Sequence, residues 1–93
     1  MIIEHVPGKN VGHIMMYALS TCVWCKKTKK LLNDLGVEYF YIDVDLLSGE
    51  EKAEVMQAVE RWNPGASFPT IVVNNRSAIL GFKENQIREM VIR

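Results

Sequence analysis

Cys22 and Cys25 are the only cysteines in the 93-residue chain, with Val23 and Trp24 between them. Two thiols at that spacing can close into a disulfide and reopen, so the pair is suited to carrying electrons. Only a thiolate attacks a disulfide, and an ordinary cysteine near neutral pH is mostly thiol. The spacing divides the labour. Cys22 attacks a target disulfide and forms a mixed disulfide. Cys25 then attacks that bond, frees the reduced target and leaves Cys22 and Cys25 joined, so a further thiol or protein must restore the pair. Two other readings use the same residues. Cysteines are often buried and simply pack. Zinc or an iron–sulfur cluster asks for four protein ligands, whereas one chain offers the two cysteines plus His5 and His13. No metal is therefore expected within one chain. A cluster shared by two chains, each giving only Cys22, stays open.

Such a pair needs a strand and a helix to present it. Residues 13–19 are apolar almost throughout, as in a strand buried on both faces. Residues 22–35 read as a helix. Thr28, Leu31, Leu32 and Leu35 fall on one stripe, and Lys26, Lys27, Lys29 and Lys30 cover the rest. Gly36 closes the helix as a left-handed cap. Cys22 then lies in the first turn, where unpaired N–H groups and the positive dipole end favour a thiolate. Lys26 adds positive charge one turn on. Cys25 falls on the inward stripe, where it is expected to be partly buried and less ionised.

The remaining elements follow from the same patterns. Residues 37–44, rich in β-branched and aromatic side chains, read as a second buried strand. Ser48 and Glu51 make a capping box that opens a second helix, with Val55, Met56, Val59 and Trp62 inward and Pro64 closing it. Residues 70–73 and 77–80 are short strands joined through Asn74 and Asn75, which tolerate a tight turn. Residues 83–92 form a last amphipathic helix with Ile87, Met90 and Val91 inward. The fold class is α/β, in the order β-α-β-α-β-β-α. The first two strands are parallel, the hairpin adds antiparallel ones, and helices cover both faces of a four-stranded mixed sheet. Residues 13–93 make one domain. Residues 1–12 stand outside it, either as an N-terminal arm or as a short edge strand beginning at Ile2 and Ile3.

Composition narrows the partners. Eleven basic residues balance eleven acidic ones. A neutral sum gives no reason to expect nucleic acid or an anionic membrane. No targeting or spanning segment is visible, so a cytoplasmic location is expected, where a close cysteine pair is kept mostly reduced. The lysines from Lys26 to Lys30 surround the reactive cysteine and form a basic patch, either a solvated helix face or a docking surface. Trp24 is too large and too exposed in this motif to be core and reads as a contact surface. Trp62 reads as core. Arg76 and Lys83 carry no independent signal. Phe68-Pro69 opens the strand at Thr70, and sequence alone leaves a cis bond there as the minority form.

At this point the chain resembles the glutaredoxins, within the thioredoxin superfamily, over roughly residues 13–92. The residues that carry the resemblance are Met16 through Cys25, then Ser67-Phe68-Pro69-Thr70, then Leu80-Gly81-Phe82-Lys83. A C-x-x-C with a proline 44 positions further on is the specific combination. The resemblance implies a thioredoxin fold. It also implies a cis Pro69 facing the dithiol, and a substrate surface made by Thr21, Val23, Trp24, Phe68, Pro69, Gly81 and Phe82. Lys26 and Lys27 are placed as docking or charge-tuning residues. Three departures weaken a glutathione site. Val23-Trp24 replaces the usual Pro-Tyr. Leu19 stands where a basic residue is usual. Gly81-Phe82-Lys83-Glu84 replaces a Gly-Gly before an acidic pair. The Gly-Phe-Lys stretch is most similar to glutaredoxin-like redoxins that serve ribonucleotide reductase and are reduced by a dedicated reductase. The resemblance therefore implies a monomeric, dithiol protein-disulfide reductase with no cofactor beyond its own disulfide. Glutathione is disfavoured as electron donor, and a thioredoxin-reductase-like or ferredoxin-dependent reductase takes its place.

Overall fold

The computed structural model describes residues 3–92. Strand β1 (Glu4–Val6) comes first, then β2 (Ile14–Ala18), helix α1 (Val23–Asp34) and β3 (Tyr39–Asp43). A single 3-10 turn (Val44–Leu46) leads to α2 (Gly49–Trp62), the hairpin β4 (Thr70–Val73) and β5 (Ser77–Leu80), and α3 (Glu84–Ile92). The sheet order is β1-β3-β2-β4-β5. β2 runs parallel to β3 and antiparallel to β4, so β2 is central and the sheet is mixed. This is the expected α/β thioredoxin architecture with one correction: the sheet has five strands, not four.

The fifth strand comes from the segment left open as arm or strand. Glu4, His5 and Val6 pair antiparallel with Tyr41, Phe40 and Tyr39. The strand thus starts two residues past Ile2, which lies outside the described residues. Gly8 lets the arm come in. A Cβ there would sit 2.6 Å from the Val37 carbonyl carbon and 2.8 Å from the Gly36 oxygen. With that space free, Lys9 N–H donates to Gly36 O at 2.9 Å and Lys9 O accepts from Glu38 N–H at 2.9 Å.

The alternation of β2 separates two cores. Ile14, Met16 and Ala18 point to one face and join Leu31 and Leu32 of α1, Tyr39, Ile71, and Ile87 and Met90 of α3. Met15, Tyr17 and Leu19 point to the other, with Ile42, Val44, and Val55 and Met56 of α2. Helices α1 and α3 therefore cover one face and α2 the other. Burying one aliphatic side chain such as Leu32 contributes about 1.5–3 kcal/mol.

Local expectations hold with small shifts. Gly36 takes φ +69° after α1, and Asn74 and Asn75 take φ +52° and +53° in the hairpin turn. Ser48 does occupy the N-cap of α2, but its side chain makes no capping hydrogen bond, so the first half of the expected box is not formed. Trp62 is half-buried rather than core.

Candidate active site

The loop between β2 and α1 sets the geometry of the two sulfurs. Cys22 is the N-cap of α1, with extended backbone (φ −84°, ψ 119°). Its Sγ accepts the Cys25 N–H at 3.2 Å, a role usually taken by serine or aspartate oxygen. Cys22 N–H donates to Leu19 O at 3.2 Å, and its own carbonyl accepts from Lys26 N–H at 3.1 Å. The sulfur of Cys22 thus meets a backbone donor, in a residue that remains partly exposed.

Cys25 is different. It is 0% exposed and packs among Ala18, Leu32 and the rest of the first core. Burial, helped by a hydrogen bond with Cys22, pushes its thiol up to about 12, and nearby Lys29 pulls the other way. Both cysteines are free thiols. One cysteine is therefore partly exposed with a hydrogen-bonded sulfur, and the other is buried and holds its proton.

The rim is apolar. Val23 is 62% and Trp24 55% exposed. Trp24 stacks on Phe82 with ring centroids 5.9 Å apart, and Lys27 Nζ lies 5.1 Å from the Trp24 ring. Phe68 is half-buried and packs against both cores. The Phe68–Pro69 bond is cis, and Pro69 is fully buried. Gly81 N–H donates to Pro69 O at 2.8 Å, tying the end of β5 to that segment. Gly81 has φ +85°, while a Cβ there would meet nothing within 4 Å. Its backbone angle, not crowding, is what asks for glycine. Thr21 is exposed beside Cys22.

The expected patch of four lysines breaks up. Lys30 pairs with Asp34 of its own helix at 2.9 Å. Lys29 turns inward, 3.1 Å from Asp43 Oδ1 and 4.0 Å from the Tyr41 ring centroid. Lys26 and Lys27 remain on the exposed surface. The two histidines lie at the opposite end of the sheet. His5 stacks on Phe40 at 4.7 Å and bonds Glu38 at 2.7 Å, and His13 stacks on the same ring at 5.2 Å. Among the described residues, no group of three His, Cys, Asp or Glu side chains is arranged to hold a metal ion.

Two braces escaped the sequence reading. Asp45, in the 3-10 turn, accepts from Ser20 twice, from its N–H at 2.8 Å and from its hydroxyl at 2.5 Å. Those bonds hold the Asp45 carboxyl below the usual carboxylate range. Asn63, the C-cap of α2, is 4% exposed. Its Nδ2 donates to Ser67 O, Ser67 Oγ and Thr70 Oγ1 at 3.1, 2.9 and 3.0 Å, which secures the segment leading to Pro69. The Asp45 brace leaves no local signal, because its partners stand 25 residues apart on separate elements.

The family model for glutaredoxin matches residues 14–78, a span that contains both cysteines and Pro69. The chain belongs to the glutaredoxin family. A glutaredoxin from Methanosarcina mazei is similar, at 55% identity and TM-score 0.89, over 96% of this chain and 86% of that one. The methanoredoxin of Methanosarcina acetivorans is 60% identical with TM-score 0.87, over 90% of this chain and 88% of that one. A glutaredoxin-like 8.6 kDa protein in a rubredoxin operon of Clostridium pasteurianum is 27% identical, over 84% of this chain and 96% of that one. Family membership, together with the paired Cys22 and Cys25, makes the protein a thiol–disulfide oxidoreductase. The family match ends before Gly81 and Phe82. No described helix is long and apolar enough to cross a membrane.

Proposed function

We propose that the protein is a dithiol electron carrier that reduces disulfides in other proteins, with Cys22 as nucleophile and Cys25 as resolving thiol. The observation that carries this reading is the asymmetry of the two cysteines: Cys22 is partly exposed and its Sγ accepts a backbone N–H, while Cys25 is 0% exposed. The Cys22 thiolate attacks one sulfur of the target disulfide, and the other target sulfur leaves as a thiolate. The Cys25 thiol then loses its proton and attacks Cys22 Sγ. The Cys22–target bond breaks, the second target thiolate takes up a proton, and Cys22–Cys25 is left oxidised. Two electrons have passed to the target.

The same reading assigns re-reduction to a protein reductase, of the thioredoxin-reductase or ferredoxin-dependent kind, instead of glutathione. Glutathione carries two carboxylates. Leu19 supplies no charge and packs into the second core. The Phe82 ring, stacked on Trp24, occupies the place of a second glycine. Lys83 offsets this only in part. Val23, Trp24 and Phe82 present an apolar rim suited to a protein partner, with Lys26 and Lys27 able to steer an acidic one at low salt. Ribonucleotide reductase is the kind of target that the Gly81-Phe82-Lys83 stretch suggests. The protein would act as a monomer in the reducing cytoplasm.

Trapping tests the division of labour. Cys25→Ser should accumulate a stable mixed disulfide with a disulfide-bearing target, and Cys22→Ser should not; equal trapping by both would overturn it. The donor is tested by following turnover with glutathione and its recycling enzyme, and separately with each protein reductase. Efficient turnover on glutathione alone would return the protein to the ordinary glutathione-dependent members. Visible absorbance from a bound iron–sulfur cluster in freshly purified dimer would point instead to a cluster-bridging role.

A further inference from the structure

The resolving step asks something awkward of Cys25. Its sulfur must become a thiolate inside an apolar cluster, where desolvation disfavours charge. A cation is placed to help. Lys29 follows Cys25 by four residues on α1, so the two side chains share a face of the helix. Although a lysine, Lys29 is only 21% exposed, and it is held there from two sides. Asp43 Oδ1 lies 3.1 Å from Nζ, and the Tyr41 ring lies beneath it at 4.0 Å. Both partners come from β3, on the face that meets α1. Asp43 stands in register with Ala18 of β2, which packs in the same cluster as Cys25.

Lys26, next to Cys25 in sequence, lies on the exposed surface. Cys22 sits at the head of the same helix. Tyr17 of β2 points to the opposite face of the sheet. The residues of β4 and α3 that share the cluster, Ile71, Ile87 and Met90, are apolar. Lys29, with Asp43 and Tyr41 behind it, is the ionisable group set on this side of Cys25.

We infer that Lys29, fixed half-buried by Asp43 and Tyr41, is the positioning residue whose charge lets Cys25 react as a thiolate in the resolving step, and that Asp43 tempers that charge. The inference rests on the proposed roles of the two cysteines. In the step itself, the Cys25 proton goes to solvent. The Cys25 Sγ–Cys22 Sγ bond forms, the Cys22 Sγ–target bond breaks, and the target sulfur departs with the electron pair. Lys29 gains and loses nothing; it offsets the negative charge on Cys25 before attack. Burial raises the Cys25 thiol, and the Lys29 charge acts against that rise.

The test uses the full chain and Ellman's reagent. Attack by Cys22 releases one thionitrobenzoate and leaves the other on Cys22; attack by Cys25 then releases the second. Stopped-flow absorbance separates the two phases across a pH series. Lys29→Met keeps an apolar stem over Tyr41 but removes the cation. It should slow the second phase at neutral pH and move its pH inflection upward, with the first phase little changed. Asp43→Asn frees the cation from its counter-charge and should do the opposite. Each unit of displacement should change the second-phase rate by about threefold, because higher thiolate content is partly offset by lower nucleophilicity. Lys29→Arg should restore wild-type behaviour. A purely structural ion pair would make both variants slower in the same direction, and that result overturns the inference. So does a slower second phase in Asp43→Asn alone, which would make Asp43 the proton acceptor. Failure of the first phase to depend on Cys22 would instead sink the proposed roles of the cysteines, a separable outcome.

Discussion

At the start of β2, Asn74 Oδ1 accepts the His13 N–H at 2.8 Å and Asn10 Oδ1 accepts the Gly12 N–H at 2.9 Å. At its end, the Asp45 carboxylate accepts from Ser20, and three residues later the chain presents exposed Val23 and Trp24 around a reachable sulfur. Both loops are held by a side chain accepting a backbone N–H. The first is held by neutral amides and leads into paired strand. The second is held by a charged group and leads into a helix start whose cap is a thiol. The same central strand therefore joins an end in which polar groups are internally satisfied to an end that leaves apolar surface and a nucleophile facing outward. The contrast locates reactivity without any appeal to the size of a cavity.

The largest expected effect separates the two ends by chemistry. Cys22→Ser should reduce disulfide-reductase activity to background, because a hydroxyl cannot form the mixed disulfide. His5→Ala, at the far end, should leave turnover unchanged. A sizeable loss in the histidine variant would mean that the far end belongs to the site after all.

A crossed pair of substitutions comes next. Asn74→Ala removes the acceptor for His13 and places alanine at φ +52°, so it should cost about 1–2 kcal/mol in urea unfolding with turnover intact. Trp24→Ala should do the reverse. More than half of its side chain is already in water, so stability should change by less than about 1 kcal/mol. KM for a protein substrate should nevertheless rise roughly 5–30-fold, as for loss of an aromatic anchor. If both variants lost stability and neither lost affinity, the outward apolar rim would have no role in recognition.

The smallest effect concerns pH. Because folding lowers the Asp45 carboxyl below its ordinary value, its contribution is present above the unfolded value and is lost as pH falls through the folded one. Asp45→Asn should therefore flatten part of the decline in stability below about pH 4. Asn74→Ala should leave that slope alone, since amides do not titrate. Chemical denaturation at neutral pH and near pH 3 compares the three proteins. Parallel declines in wild type and Asp45→Asn would show that the carboxylate is not what holds the dithiol loop.

What was legible from the chain alone was whatever depends on neighbours in sequence. The apolar run before Cys22, the four-residue stripe after it and Gly36 were enough to place β2, α1 and the asymmetry between an accessible and an inward cysteine, because a helix start and a helix face are local properties. The asparagine turn and the last helix were legible for the same reason. The cis bond at Pro69 was not; only the likeness to a family pointed to it. Tertiary structure alone decided which side chains from distant segments meet. It turned the arm into an edge strand by pairing Glu4–Val6 with β3. It drew Lys29 out of the lysine patch and onto Asp43, left Ser48 without its side-chain cap bond, and set Asp45 under Ser20. The strand pairing, the Lys29–Asp43 pair and the Ser20–Asp45 bonds are contacts between groups 14 or more residues apart in sequence. Hydrophobic periodicity fixes which face of an element turns inward, but it does not specify which charge will be waiting there.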